Sequence, residues 1–156
     1  MSSDPRLAIT LCGIDLGSPL VNGSGTLDAA MAGTLGLAAY VTKTVTLHPR
    51  EGNSPPRIAE APAGMVNSIG LANPSLDSFL ERHLPRLSEL GVPVIVSVGG
   101  WSQSEYATAV DRLSQEPAVA AIELNVSCPN VASEGETFGC DPAHRARRAH
   151  GTRRNR

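Results

Sequence analysis

The stretch Pro93-Val94-Ile95-Val96-Ser97-Val98, closing at Gly99-Gly100, constrains this chain more than any other. It is almost unbroken in apolar, β-branched residues, so it predicts a strand without a polar face. Such a strand must be covered on both sides, as in a parallel sheet flanked by helices. Its surroundings repeat a strand–helix alternation. Leu7–Leu11 and Ile14–Leu16 flank a Cys-Gly turn and predict a short hairpin. Leu20-Val21-Asn22 predicts a strand ending in Gly23-Ser24-Gly25, with a helix following over about 29–37. Ala39–Lys43 is the next strand. Residues 46–62 hold four prolines and predict a long irregular loop, after which Met65–Ser68 is extended and Ile69-Gly70-Leu71 turns.

Asn73 as N-cap and Pro74 at the first helical position open a helix whose Leu76, Phe79, Leu80, Leu84 and Leu87 keep helical spacing. Pro85 is expected to kink or divide it, and Gly91 to end it. Ser102-Gln103-Ser104-Glu105 has the form of a capping box, and Tyr106, Ala109, Val110 and Leu113 supply the inner face of the helix behind it. Ala118–Val126 is the fourth strand. A hairpin followed by repeated β-α units predicts a parallel α/β sheet.

At 156 residues the chain is long enough for one domain with a core. No stretch approaches ~18 apolar residues, and the N-terminus lacks the basic-then-apolar layout of a signal peptide. Cys12, Cys128 and Cys140 share no close spacing, which points away from a disulfide framework or zinc site and towards a reduced, cytoplasmic protein. Charge is unevenly spread. Residues 1–142 carry all fifteen acidic residues, whereas 143–156 carry six arginines and no acid. That tail has no apolar period. It is read either as a basic arm for nucleic acid or as out-of-frame translation; its abrupt start where a helix is due favours the second.

Polar residues follow each strand: Ser24 the first, Lys43 the second, Ser97 and Gly99 the third, Asn125 and Cys128 the fourth. Both a TIM barrel and a doubly wound sheet bind ligands at C-terminal strand ends, so this placement does not choose between them. The fourth strand is the most pointed. Ile122–Val126 runs into Ser127-Cys128-Pro129-Asn130, where Pro129 ends the ladder and a thiol sits between two asparagines. Such a thiol serves as base or nucleophile, or is a packed loop cysteine.

Four blocks together resemble class 1 dihydroorotate dehydrogenases: Asn22-Gly23-Ser24-Gly25; Lys43-Thr44 with Leu47–Asn53 and Pro56-Arg57; Asn67–Pro74; and Ile122–Val131. The Leu-His-Pro-Arg and Asn-x-Ile-Gly-Leu wording is closer to subclass 1B. The resemblance runs from about residue 7 to Pro142. It implies a TIM barrel that binds FMN and oxidises (S)-dihydroorotate to orotate in pyrimidine (UMP) synthesis. In subclass 1B a second subunit, carrying FAD and a 2Fe-2S cluster, passes electrons to NAD. By the same resemblance Cys128 is the base that takes a proton from C5 while hydride leaves C6 for the flavin. Lys43 contacts both flavin and the orotate carboxylate. Asn67, Asn125 and Asn130 are substrate ligands, helped by backbone groups of Ser68, Ile69, Gly70 and Leu71. Ser24, Thr44 and Asn125 contact the flavin. Ser97 is a further flavin contact by the same resemblance, standing where the family often has asparagine and with shorter reach. Cys12 and Cys140 match no functional position. His48, Arg50 and Arg57 are read as loop ion pairs rather than a nucleic-acid patch.

A TIM barrel takes ~250 residues, and this chain offers four strands of eight. It is expected to be the truncated N-terminal half, residues 1–142, with 143–156 a separate Arg-rich tail, and to be inactive alone. The half not represented would carry a second flavin-contacting lysine and the phosphate-holding glycine loops. Two alternatives stand beside this reading. One is a related FMN barrel acting on another pyrimidine. The other is a non-catalytic half-barrel working through self-association, a partner or tail-bound nucleic acid.

Overall fold

The computed structural model describes residues 5–32 and 34–128. Asn130, Cys140 and the Arg-rich segment lie outside them. The chain opens with the expected hairpin, β1 (Ile9–Leu11) and β2 (Ile14–Leu16), paired antiparallel with Leu11 opposite Ile14. Cys12 and Gly13 form its two-residue turn with φ 52° and 82°, the doubly left-handed geometry that suits a tight hairpin. Cys12 is therefore an exposed turn residue.

Val21 bridges Ala39 in parallel, and β3 (Tyr40–Val41) pairs in parallel with β6 (Val94–Val98), which pairs in parallel with β7 (Ala121–Leu124). Strand order thus follows chain order across the sheet. All five residues of β6 are buried, as its unbroken apolar run requires. Val94, Val96 and Val98 turn to the helices, where Leu76, Phe79, Leu84, Leu87, Tyr106, Ala109 and Leu113 share their cluster. Ile95 turns to the opposite face, against Leu16, Ala39 and Val41. The hairpin residue Leu16 thereby closes one end of the face that the helices leave bare.

The helical segments differ from the expectation in length more than in place. α1 spans Ala29–Ala32, shorter than the stretch to residue 37. α2 (Leu76–Ser78) leads through one wide π turn, Phe79–His83, into α3 (Leu84–Leu87) and a 3-10 turn that ends at Gly91 with φ 69°. Pro85 divides the helix as expected, because it has no N–H for the preceding turn. The N-cap is Ser75, whose Oγ accepts from Ser78 N at 3.3 Å, and Asn73 is drawn elsewhere. α4 (Gln103–Leu113) buries Tyr106, Ala109, Val110 and Leu113. Ser102 Oγ caps Glu105 N at 3.2 Å, but the Glu105 carboxylate accepts from Trp101 N at 2.6 Å, one residue before the N-cap.

The long loop contains an element that its prolines conceal. β4 (Ile58–Ala61) pairs antiparallel with β5 (Gly64–Asn67), and every residue of both strands is exposed. Arg50 and Arg57 do not form ion pairs with carboxylates there. Arg50 Nε donates to Gly70 O at 3.0 Å; Arg57 donates to Asn53 O and Glu51 O at 2.5 and 2.7 Å. A loop without a continuous ladder leaves carbonyls to be satisfied, and guanidinium donors do so.

Tyr40 lies buried in the helix-side cluster, its hydroxyl donating to Leu27 O at 3.0 Å. Burial, and then the nearby Asp28 carboxylate, raise its pKa above the ordinary 10.0. A raised folded-state pKa means stability that is fully present below the unfolded value and lost as pH climbs through the folded one. In urea melts, wild type should therefore lose stability relative to Tyr40→Phe as pH rises above about 10. Parallel curves for the two proteins would refute the burial effect.

Candidate active site at the C-terminal strand ends

Between β3 and the next bridge the sheet carries a bulge. Val41 opposes Ile95 and Val45 opposes Val98, so the first strand uses one more residue than its neighbour. The bulge re-aims consecutive side chains. Thr42 Oγ1 accepts from Ser97 N at 3.1 Å, in place of a backbone carbonyl. Lys43 is turned out to solvent and Thr44 is buried, 2% exposed.

Thr44 is the hub of a polar network across the strand ends. Its Oγ1 lies 3.0 Å from Ser97 Oγ and 3.3 Å from Ser24 Oγ, and accepts from Asn125 Nδ2 at 3.0 Å. Ser24 Oγ also donates to Thr42 O at 2.8 Å. Asn125 continues the chain of contacts, its Oδ1 accepting from Cys128 N at 3.2 Å. Tyr106 fixes the same residue from below, donating to Asn125 O at 2.6 Å. The loop before Ser24 is held by Asn22, whose amide exchanges two 2.8 Å hydrogen bonds with the Val41 backbone in the manner of a strand neighbour. Gly25, at φ 69°, leaves room for the Lys43 stem, which a Cβ would strike.

These residues surround a cavity of about 480 Å³, lined among others by Ser24, Lys43, Thr44, Leu71, Asn125 and the half-buried Cys128. That volume is within the range of small-molecule sites, about 300–1,000 Å³. Hydroxyls of Ser24, Thr44 and Ser127, the Asn125 carboxamide, the Cys128 thiol, the Lys43 ammonium and the acidic residue Glu123 make up its polar lining. Ser97 is fully buried and reaches the cavity only through Thr44. Asn67 and Ser68 lie on the exposed hairpin side and do not line the cavity.

The Ser68–Leu71 turn joins the site through Leu71, and its carbonyls are all engaged by the scaffold. Ser68 O accepts from Asn53 Nδ2 (3.2 Å), Ile69 O from Asn53 N (3.1 Å), Gly70 O from Arg50 Nε (3.0 Å) and Leu71 O from Asn73 Nδ2 (3.0 Å). In a trans peptide the next N–H points opposite to the carbonyl. The N–H groups of Ile69, Gly70 and Leu71 thus face away from these anchors, and none meets an acceptor among the described residues. Gly70 and Leu71 hold φ of 76° and 57°, and a Cβ on Gly70 would sit 2.7 Å from Asn53 N. The anchors Arg50, Asn53 and Asn73 escape sequence reasoning. Asn73 has the form of a helix cap, yet its buried amide ties Leu71 O to Thr46 N and Ser75 N.

No cluster of three or more metal-ligating side chains occurs among the described residues, nor any helix long and apolar enough to cross a membrane. Fold and site together define an α/β protein with a polar-lined cavity at the C-terminal ends of parallel strands. The sequence matches the dihydroorotate dehydrogenase family over residues 6–151. The chain belongs to that family. It is 46% identical over 143 residues to the catalytic subunit of dihydroorotate dehydrogenase B (NAD(+)) from Desulforudis audaxviator, covering 88% of this chain and 47% of that protein. It is 47% identical over 132 residues to the same subunit from Endomicrobium trichonymphae, covering 81% and 43%. The fold superimposes with a TM-score of 0.75, at 20% identity, on the Eimeria tenella dihydroorotate dehydrogenase solved in complex with ferulenol, over 96% of this chain and 44% of that one. The chain spans about half the length of the curated relatives it matches.

Proposed function

We propose that this chain supplies the N-terminal half of a (β/α)8 barrel, residues 1–142, that oxidises (S)-dihydroorotate to orotate in pyrimidine (UMP) synthesis, with 143–156 standing apart from it. The carrying observation is the continuous hydrogen-bond path from Ser24 through Thr44 and Asn125 to the Cys128 backbone, around the cavity that Lys43 and Leu71 also line. Strand order that follows chain order without reversal, from the Val21 bridge through β7, accords with a barrel.

FMN, when bound, supplies the hydride acceptor. Ser24, Thr44, Asn125 and Lys43 would hold it, with Ser97 stiffening Thr44 from beneath. Cys128 takes the C5 proton. Asn125 sets the distance between that loop and the cofactor floor, since one amide bonds both Thr44 Oγ1 and Cys128 N. The N–H groups of Ile69, Gly70 and Leu71 and the Lys43 ammonium receive the substrate's carboxylate and carbonyl oxygens, with Asn130 as a further ligand; Asn67, outside the cavity as the chain stands, joins them only if the β4–β5 hairpin folds over the site. The relatives' designation as catalytic subunits supports a partner subunit. In the proposed enzyme that partner passes electrons through FAD and a 2Fe-2S cluster, in a cytoplasmic setting.

The test is complementation. The 156-residue chain alone should show no dihydroorotate oxidation with NAD or an artificial dye acceptor. Mixed with the C-terminal half of the Desulforudis audaxviator relative, it should give FMN-dependent turnover. Soluble, folded halves that associate yet stay inactive would count against the reading. Turnover by this chain alone, lost in Cys128→Ser, would overturn the need for a second half.

A further inference from the structure

The Ile69–Leu71 turn is held by Arg50, and Arg50 is in turn held by an aromatic ring from another strand's loop. The Arg50 backbone pairs with Asn73 on both sides, N to O at 2.9 Å and O to N at 3.0 Å. That fixes the start of the side chain and leaves its flexible stem to be aimed. Its guanidinium carbon lies 4.8 Å from the centroid of the Trp101 ring, the geometry of a cation–π contact. Its Nε donates to Gly70 O at 3.0 Å. Trp101 is itself pinned. Glu105 accepts from its backbone N–H at 2.6 Å, and two residues earlier Gly99 N donates to Val45 O at 2.9 Å. Both Trp101 and Arg50 are half-buried, where a cation–π contact is worth more than at a fully wet surface.

We propose that Trp101 is a positioning residue for the substrate turn. Its indole face holds the Arg50 guanidinium so that Nε keeps the Gly70 carbonyl, and through peptide planarity the Leu71 N–H, in its receiving orientation. This rests on the reading of Ile69–Leu71 as a substrate-binding turn. It assigns the Trp101 side chain, which does not line the cavity, a role in affinity. It also ties the loop after β6 to the turn after β5, so that two separate strand-end loops are set as one unit. An arginine suits this link better than a lysine, because its planar head offers a face to the indole and an edge donor to the carbonyl at once.

The experiment uses the full 156-residue chain and NMR. In wild type the Arg50 Nε–H should be shifted by the indole ring current and exchange slowly, and millimolar orotate should shift the Leu71 amide. Trp101→Leu should abolish the ring-current shift, speed Nε–H exchange and weaken the orotate response about tenfold. Trp101→Phe, which keeps an aromatic face, should restore most of both. Arg50→Lys should weaken the orotate response similarly, and adding it to Trp101→Leu should cost little more, because both act through one contact. An Arg50 Nε–H as protected in Trp101→Leu as in wild type overturns the clamp. An intact clamp in a wild-type chain whose Leu71 amide ignores orotate, both alone and mixed with FMN and the C-terminal half of the Desulforudis audaxviator relative, overturns the substrate role and the reading of the turn beneath it. The Phe and Lys variants keep the proposal falsifiable should Trp101→Leu fail to fold.

Discussion

Cys128→Ser should slow dihydroorotate oxidation about 10²- to 10⁴-fold in the complex rebuilt from this chain and the C-terminal half of its Desulforudis audaxviator relative, the usual loss when a positioned base is removed. A thiol ionises within reach of neutral pH, whereas an alkyl hydroxyl does not, so serine keeps the shape and loses the base. The contact between Asn125 Oδ1 and residue 128 is made by the backbone N–H, so it survives the substitution. FMN content should therefore stay near the wild-type value while the rate of flavin reduction falls. The serine variant should regain part of its rate at high pH. A rate equal to wild type at every pH would sink the assignment of Cys128 as the base.

Lys43→Ala should weaken orotate binding by about one to two orders of magnitude in the same complex, the usual cost of losing a charged hydrogen-bond partner. Lys43 is the single lysine of the chain and lines the cavity beside Ser24 and Thr44. Its stem crosses Gly25, which fixes where the ammonium can travel. Spectral titration of the flavin with orotate gives the affinity, and raising the salt should narrow the gap between wild type and variant. Within this chain amine reagents can modify only Lys43 and the N-terminus, so peptide mapping of the labelled complex isolates Lys43, and orotate should protect it from acylation. Equal affinities, or labelling that orotate leaves unchanged, would remove Lys43 from the substrate site.

The elements legible in the sequence are those whose signals lie close together in the chain. The unbroken apolar run of β6, the Ser102 cap with the Tyr106–Leu113 face of α4, the Cys12-Gly13 turn and the break at Pro85 are each specified within about a dozen residues. Where two local signals conflict, reading by composition fails. The prolines of residues 46–62 mask β4, and Asn73 followed by proline imitates a cap. In both cases a partner distant in the chain wins. β5 supplies the missing ladder for β4, and the buried Thr46 and Leu71 backbones need the Asn73 amide more than the helix does.

The candidate site divides along the same line. Motif wording names Ser24, Lys43, Thr44, Asn125 and Cys128, and the structure brings all five around one cavity. It also separates what the wording groups together: Ser97 lies sealed beneath Thr44, while Asn67 and Ser68 stay on the exposed hairpin side. The sequence by itself determined the strand–helix alternation and the kinds of polar group at the strand ends, because period, caps and breakers act between neighbours. Only the tertiary structure decided that a one-residue bulge makes Thr44 the hub, that Arg50 turns from carboxylates to Gly70 O and Trp101, and that Asn125 meets Thr44 from 81 positions away. Those contacts exist because buried donors and acceptors must find partners wherever packing places them, and packing is set by the whole sheet at once.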